Sequence, residues 1–318
     1  MLRVLRRDRP GLEAFEPDAD WRLPADAVWV DLEEPTRAEE LAVELALKVN
    51  LPTREDMRAL EPSSRLYREN SATFMTATLL SQSRQEWPEE APVTFVLIDG
   101  VLVTIRYASF RAFTVFMGRV EEPPAYSLGG KCFVDLLDAV VERVASILED
   151  TAQTVETASV ETFNSDASAN FKALLSNLAH AQSMTAKART SLTSLARALS
   201  FAALAPEVEN DGECKRHVHA LQRDVQSLTE HASFLSGNVS FLLDAALGLI
   251  NIQQNGIIKF FSVVAVVFLP PTLCASIWGM NFQHMPELAW PFGYPMAVAI
   301  MIASGLLPYW WFRRKGML

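Results

Sequence analysis

Residues 255–281, NGIIKFFSVVAVVFLPPTLCASIWGMN, decide how this chain is built. From Phe260 to Trp278 the stretch carries no charged side chain, close to the ~20 apolar residues that a helix needs to cross a bilayer. Its pattern is not that of a plain anchor. Steps of three and four lead from Asn255 through Ile258, Ser262, Ala265, Leu269, Thr272 and Ser276 to Gly279, and such positions share one side of a helix. That side is mostly small or polar, whereas Phe260, Phe261, Val263, Val264, Val266 and Val267 beside it are bulky and apolar. Hydrocarbon has no partner to offer a hydroxyl or an amide. The stripe therefore predicts a helix–helix contact or the wall of a pore.

Toward the N-terminus the same helix continues. Val218, Leu221, Val225, Leu228, Ala232, Leu235, Val239, Leu242, Ala246 and Leu249 alternate in steps of three and four, an unbroken heptad seam. No proline interrupts it before Pro270. The spacing predicts one helix running from a soluble body through the membrane, roughly 100 Å long at 1.5 Å per residue. On the face opposite the seam, the small and polar stripe extends backwards through Asn251 and Gly248 to Asp244.

Toward the C-terminus, Trp290–Phe312 is a second uncharged stretch. It ends in Tyr309, Trp310 and Trp311, followed by Arg313, Arg314 and Lys315. Interfacial aromatics followed by basic residues place the C-terminus in the cytosol, and Lys259 does the same for the entry to the first span. The N-terminus is then cytosolic as well, and residues 280–289 form a short outside loop.

Upstream, the pattern is mixed. Val28–Leu32 reads as a strand, and Thr36 with Glu39 as a capping box that opens a helix to about Leu47. A second short helix starts near Thr53, and Arg65–Arg68 and Thr73–Leu80 are strand-like. Val93–Ile98 and Val101–Tyr107 flank Asp99-Gly100, a strong hairpin signal. After Pro123-Pro124 and Gly129-Gly130 the chain turns helical, with one long helix at 131–164 and another reaching about Ala203. The predicted fold class is an α/β N-terminal cytosolic domain followed by long helices and two C-terminal transmembrane helices. The predicted division is a cytosolic α/β domain at 1–125, a long-helix bundle and stalk helix at 126–258, and two transmembrane helices with a short outside loop at 259–318.

Charge is unevenly placed. The chain of 318 residues has a net charge of −10, but from Lys259 onward it holds Lys259, Arg313, Arg314 and Lys315 against Glu287. An acidic body argues against nucleic acid as a partner and allows divalent cations. Cys132, Cys214 and Cys274 are an odd, widely spaced set without a CxxC pair, so neither a disulfide framework nor a zinc site is indicated. The opening MLRVLRRDRP lacks the apolar core of a signal peptide. No Gly-rich phosphate loop, no ATP motif and no Ser/His/Asp constellation supports an enzyme or an organic cofactor. His217 and His219, two apart on a helix, point to different sides and do not clasp a metal; His284 in the outside loop reads as simply exposed.

The loop and its flanks read WGMNFQHMPEL. Together with INIQQN at 250–255, FSVVAVVFLPPT at 261–272, FGYP at 292–295 and the basic C-terminus, they make the chain resemble the CorA family of magnesium transporters in its proteobacterial branch. The resemblance is dense over about residues 237–318. It implies a funnel-shaped homopentamer in the cell's inner membrane, with five first spans lining one central pore and the second spans forming an outer ring. It makes Gly279, Met280 and Asn281 the selectivity filter, with Asn281 as a ring at the outer mouth. It also puts Thr272, Asn255 and Asp244 at pore positions, all on the stripe read from spacing. Two departures stand out. The family's usual tyrosine before the triplet is Trp278 here, and the common Asn-Phe-Glu is Asn281-Phe282-Gln283, which leaves Glu287 as the only acid in the loop.

Mg2+ dehydrates reluctantly, so a pore that leaves its waters in place can use neutral oxygens that accept hydrogen bonds from them. Asparagine carbonyls, hydroxyls and the free carbonyls of a helix end suit that task. Rings of Ile258 and Leu269 are candidates for closing such a pore by excluding water. The resemblance makes intracellular Mg2+ the closing signal, and Asp224 is a candidate ligand for it. Two rival readings remain open. One keeps the fold and changes the ion to zinc or another transition metal, cobalt and nickel included. The other is a membrane-anchored sensor or scaffold, whose spans would need no polar stripe.

Overall fold

The structure, a computed structural model, describes residues 1–7, 9–17, 21–59, 61–81, 89–122, 126–164, 171–280, 285–286 and 290–315. They fall into two units, Met1–Leu243 and Asp244–Leu318.

The first unit is built on a seven-stranded sheet: β1 (Leu2–Arg6), β2 (Leu12–Phe15), β3 (Ala27–Glu33), β4 (Leu66–Glu69), β5 (Ala72–Ser81), β6 (Glu89–Ile98) and β7 (Val101–Arg106). Their order is β2-β1-β3-β7-β6-β5-β4. Every neighbouring pair is antiparallel except β3 with β7. The predicted hairpin is β6–β7. Asp99 at φ 48° and Gly100 at φ 78° turn the chain between Ile98 and Val101, the two positive angles that a tight hairpin turn requires.

Alternation along the strands divides the core in two. One face presents Val4, Val30, Phe74, Val96, Val103 and Ile105 to a layer that contributes Val43, Val49, Leu51 and Met57. Val43 lies on α1 (Arg37–Leu47), whose capping box is formed as the Thr36 and Glu39 pattern predicts. Met57 lies on a single 3-10 turn, Asp56–Arg58, where a helix was expected from Thr53; the Thr53 hydroxyl and amide both donate to Asp56 Oδ2 at its start. A further turn, α2 (Pro62–Arg65), leads into β4.

The other face is covered by α3 (Arg111–Val120), α4 (Gly129–Asn164), α5 (Phe171–Ala202), the short α6 (Pro206–Glu209) and the beginning of α7 (Gly212–Trp278). Helix α3 escaped the sequence reading. Its N-cap is Phe110, which makes no side-chain capping bond, so the usual start signal is missing. Its apolar positions Phe113, Phe116 and Val120 are nonetheless fully buried. The seam residues of α7 from Val218 to Ala246 are buried, with Leu228 partly so, which makes the seam ordinary helical core. Asp211 starts α7 by accepting from the Glu213 and Cys214 amides at 2.8 and 3.1 Å. The thiols of Cys132, Cys214 and Cys274 are all free. Sheet residues and residues of α3, α4, α5 and α7 share one core.

A charged cluster is buried within this face. Arg106 at the end of β7 donates to both carboxylate oxygens of Asp31 on β3, at 3.1 and 2.9 Å, and to Glu33 at 2.7 Å. Asp31 also accepts from the Thr104 hydroxyl at 2.8 Å, and Thr104 in turn accepts from the Trp29 indole at 2.9 Å. The Arg106 guanidinium lies 4.8 Å from the centroid of the Phe113 ring. Burial opposes its charge, but Asp31 and Glu33 outweigh that and hold its pKa above the ordinary arginine value.

Gly129 joins the helices to the sheet. Its amide donates to Gly100 O in the hairpin turn at 2.8 Å. A Cβ at this position would sit 2.5 Å from Leu102 N, 2.6 Å from Gly100 O and 2.7 Å from Val101 C. All three are backbone atoms, so they cannot swing aside. Gly129→Ala is expected to destabilise the chain by about 1–3 kcal/mol, the usual cost of forcing an extra group into a packed site. A lowered urea midpoint of the helical circular dichroism signal is the measurement.

The second unit holds the remainder of α7 and α8 (Gly293–Arg314). Helix α7 continues through Pro270-Pro271, and α8 through Pro308. Both carry windows long and apolar enough to span a membrane, with mean hydropathy 2.1 and 1.4. Gly305 on α8 is buried, and a Cβ there would meet Pro271 Cγ and Val267 O, each at 3.3 Å. The absent side chain is what lets α8 approach the proline pair of α7.

Candidate functional site

Within the second unit, α7 has two distinguishable sides. Val263, Val267, Pro270, Pro271, Cys274 and Trp278 are half-buried, and the Gly305 contacts show that this side faces α8. The stripe lies on the other side. Asp244, Gly248, Asn251, Asn255, Ile258, Ser262, Ala265, Leu269, Thr272, Ser276 and Gly279 are all exposed. At 100° per residue the two sets point roughly 180° apart. Helix α8 therefore leaves the whole stripe uncovered. Ile258 and Leu269 show how completely, at 62% and 65% exposure.

The hydroxyls of the stripe have a fixed polarity. Thr272 Oγ1 donates to Phe268 O at 2.7 Å, and Ser276 Oγ donates to Thr272 O at 2.9 Å. With the proton committed to the helix backbone, each oxygen presents its lone pairs outward. Both groups are thus acceptors, suited to the water shell of a cation and unsuited to an anion. Prolines 270 and 271 lack amide protons, so the carbonyls of Val266 and Val267 have no helical donor from them.

At the outer end, Gly279 N still bonds Ala275 O at 2.9 Å, and Met280 N bonds Ile277 O at 3.3 Å as the helix tightens and stops. Met280 is 48% exposed. The last carbonyls of α7 carry the partial negative charge of a helix C-terminus. Asn281, Gln283, His284 and Glu287 lie outside the described residues.

The remaining expected residues lie elsewhere. Asp224 is exposed on α7 in the first unit. His217 Nδ1 is 3.6 Å from Asp135 and its Nε2 is 3.9 Å from Asp138, while His219 Nδ1 meets Gln222 Oε1 at 3.1 Å. The two imidazoles have separate partners, as their spacing predicts. Sequence reading missed the Asp135 and Asp138 pair on α4, since only the packing of α4 beside α7 brings them to His217. Burial, and then the charge of Glu142, push the Asp138 carboxyl above its ordinary value. Among the described residues no group of three His, Cys, Asp or Glu side chains is placed to hold a metal ion.

A large N-terminal α/β domain, long helices and two apolar C-terminal helices, the first with a polar face turned away from the second, define a two-span membrane protein of the ion-transporter class. Residues 24–314 match the family model described as CorA-like Mg2+ transporter protein. The chain is 36% identical to the magnesium transport protein CorA of Salmonella typhimurium and to that of Escherichia coli K12, over 323 residues and 100% of each chain. It is 34% identical to that of Mannheimia succiniciproducens over 92% of both. Among solved structures, the complete CorA magnesium transporter from Methanocaldococcus jannaschii superposes with a TM-score of 0.76 at 15% identity, covering 100% of this chain and 99% of that one. Full-length CmaX superposes with a TM-score of 0.72 at 17% identity, covering 98% and 96%. The chain belongs to the CorA family, whose members are transporters and not enzymes. It is a membrane protein with two C-terminal spans.

Proposed function

We propose that the chain is one subunit of a homopentameric channel for electrophoretic uptake of hydrated Mg2+ across the inner membrane. Cobalt and nickel are further candidate ions. The observation that carries this reading is the uncovered stripe of α7. A face of acceptor hydroxyls, amides and small side chains that α8 leaves bare is unfavourable in lipid and needs other copies of itself to enclose water. Full-length identity of 36% to magnesium transport proteins supports the choice of ion. The family's pentameric assembly supplies the number of copies.

In this reading residues 259–318 form the membrane part, 126–258 the helical bundle and stalk, and 1–125 the cytosolic α/β domain, with both termini inside. Gly279, Met280 and Asn281 form the selectivity filter, and Glu287 lies at the outer mouth. Asn281 and five α7 C-termini attract a cation and accept hydrogen bonds from its waters. Ser276 and Thr272 continue that work one and two turns inward, and Asn255, Asn251, Gly248 and Asp244 line the exit. Ile258 and Leu269 are the water-excluding rings that close the pathway. Mg2+ bound in the cytosolic body favours the closed state, with Asp224 one of its ligands. A membrane potential supplies about 4.6 kcal/mol for a divalent ion per 100 mV, so no nucleotide is required.

The test is flux of Mg2+, Co2+ and Zn2+ into liposomes holding the purified chain, with subunits counted by photobleaching. Saturable Mg2+ entry through five-subunit particles is expected. Entry of Zn2+ but not Mg2+ would move the protein to the transition-metal reading, and the absence of any divalent flux would leave the scaffold reading.

A further inference from the structure

The first unit contains a feature unrelated to cation passage. Strand β4 pairs with β5 only as far as Leu66 with Met75. Among the described residues no strand pairs with the outer edge of β5 beyond Met75, and the Thr78 amide donates to Ser194 Oγ on α5 at 2.8 Å. The gap between this edge and α5 is a cavity of about 480 Å3, within the size range of small-ligand sites. Its lining includes Arg65, Arg189 and Arg197 with the hydroxyls of Thr78, Thr193 and Ser194, and no carboxylate among the described residues.

Three guanidiniums around one cavity are unexpected in a chain of net charge −10. Among the described residues none of the three is in an ion pair. Arg65 spends two of its donors inside the protein, Nε on Ala59 O at 2.5 Å and one terminal nitrogen on Thr78 Oγ1 at 3.1 Å, which fixes the plane of its fork. Burial, and then the repulsion of Arg197, hold the Arg65 pKa below the ordinary arginine value. Like charges held together with no acid in the lining of this cavity among the described residues are a cost that an anion would lower. A second cavity, about 440 Å3, shares Arg65, Thr78 and Thr190 and is mixed in charge, with Arg54 and Arg58 beside Glu89 and Glu90.

We infer that this cleft is a binding site for a compact phosphoryl-bearing anion with two or more linked phosphates. Three arginines match the charge of two linked phosphates, about three at neutral pH. The planar fork of arginine pairs with adjacent phosphate oxygens, and hydroxyls complete the tetrahedral set. Among the described residues the lining offers no aromatic ring for a nucleobase, so recognition falls on the phosphates. Inorganic pyrophosphate and the tail of a nucleoside triphosphate share that chemistry.

The test is calorimetric titration of the full-length protein in detergent with pyrophosphate, ATP, AMP and citrate, each at a fixed free Mg2+ concentration. Pyrophosphate is expected to bind and to raise the thermal midpoint, and AMP to bind at least about tenfold more weakly. ATP binding as tightly as pyrophosphate would identify the polyphosphate tail as the ligand, and pyrophosphate binding alone would identify the inorganic ion; both support the site. In Arg189→Gln and Arg197→Gln affinity should fall at least about tenfold, the loss of one charge-assisted contact. Arg189→Lys, which keeps charge but not the fork, should fall in between. Absence of pyrophosphate binding to the folded protein, citrate binding as tightly, or unchanged affinity in variants that retain the native thermal midpoint would each overturn the assignment.

Discussion

Asn281→Ala will lower Mg2+ uptake by at least about tenfold while leaving the oligomer intact. A charge-assisted hydrogen bond is worth about 1.5–3 kcal/mol, and each 1.4 kcal/mol is a factor of ten. The substitution removes one amide from every subunit at the proposed mouth, so the whole ring is lost together. The remaining acceptors at Thr272 and Ser276 lie further along the helix and still favour a hydrated cation, but none replaces the outermost contact. The measurement is initial uptake into proteoliposomes under an imposed potential, with particle size checked by light scattering. Gln283→Glu is the companion. It restores the acid common in the family, and uptake at low external Mg2+ should rise, with the gain shrinking as salt screens the added charge. Normal uptake by Asn281→Ala would remove the triplet from the proposed filter.

Arg106→Ala should produce the largest loss of stability in the first unit. The Asp31 carboxylate is fully buried, and Arg106 is itself only 2% exposed. Removing the guanidinium leaves Asp31 with the Thr104 hydroxyl and a distant Arg3 nitrogen at 3.7 Å. Breaking a buried ion pair from one side costs about 3–5 kcal/mol, against about 5–15 kcal/mol for a whole domain. The lost cation–ring contact with Phe113 adds to this. An apparent melting midpoint lower by about 10 °C is expected from that range for a unit of this size. The double variant Asp31→Asn with Arg106→Met should be more stable than Arg106→Ala, because no unpaired charge remains buried. A midpoint unchanged in Arg106→Ala would show that the cluster contributes nothing to folding.

Local signals carried much of this fold. The Thr36 and Glu39 capping box and the Asp99-Gly100 turn are short-range devices, and each formed where its residues stand. The α7 seam was legible over ten positions because a heptad repeat survives any tertiary setting. The helix expected near Thr53 is one 3-10 turn, since Thr53 and Asp56 bond locally to each other but the chain is needed for β4 soon after. Helix α3 was invisible for the opposite reason. Its N-terminus has no capping side chain, and only burial of Phe113 and Phe116 against the sheet stabilises it.

The candidate pathway divides in the same way. Residue types and spacing alone selected the stripe from Asp244 to Gly279 and the two spans, because helical periodicity is a property of one segment, whereas the GMN triplet was singled out by the resemblance to a family. Which side of α7 remains bare was decided by tertiary structure, through Gly305 closing on Pro271 and Val267. The same holds for the arginine cleft. Arg65, Arg189 and Arg197 are separated in sequence by up to 132 residues, and no periodicity links an arginine at the end of the short α2 to two on α5. The short β4 leaves the edge of β5 open and α5 fills in beside it, so like charges meet across elements that the sequence orders but does not bring together. Sequence by itself therefore determined what each helix and strand can present; packing alone decided which of those faces meet and which are left for water, an ion or an anion.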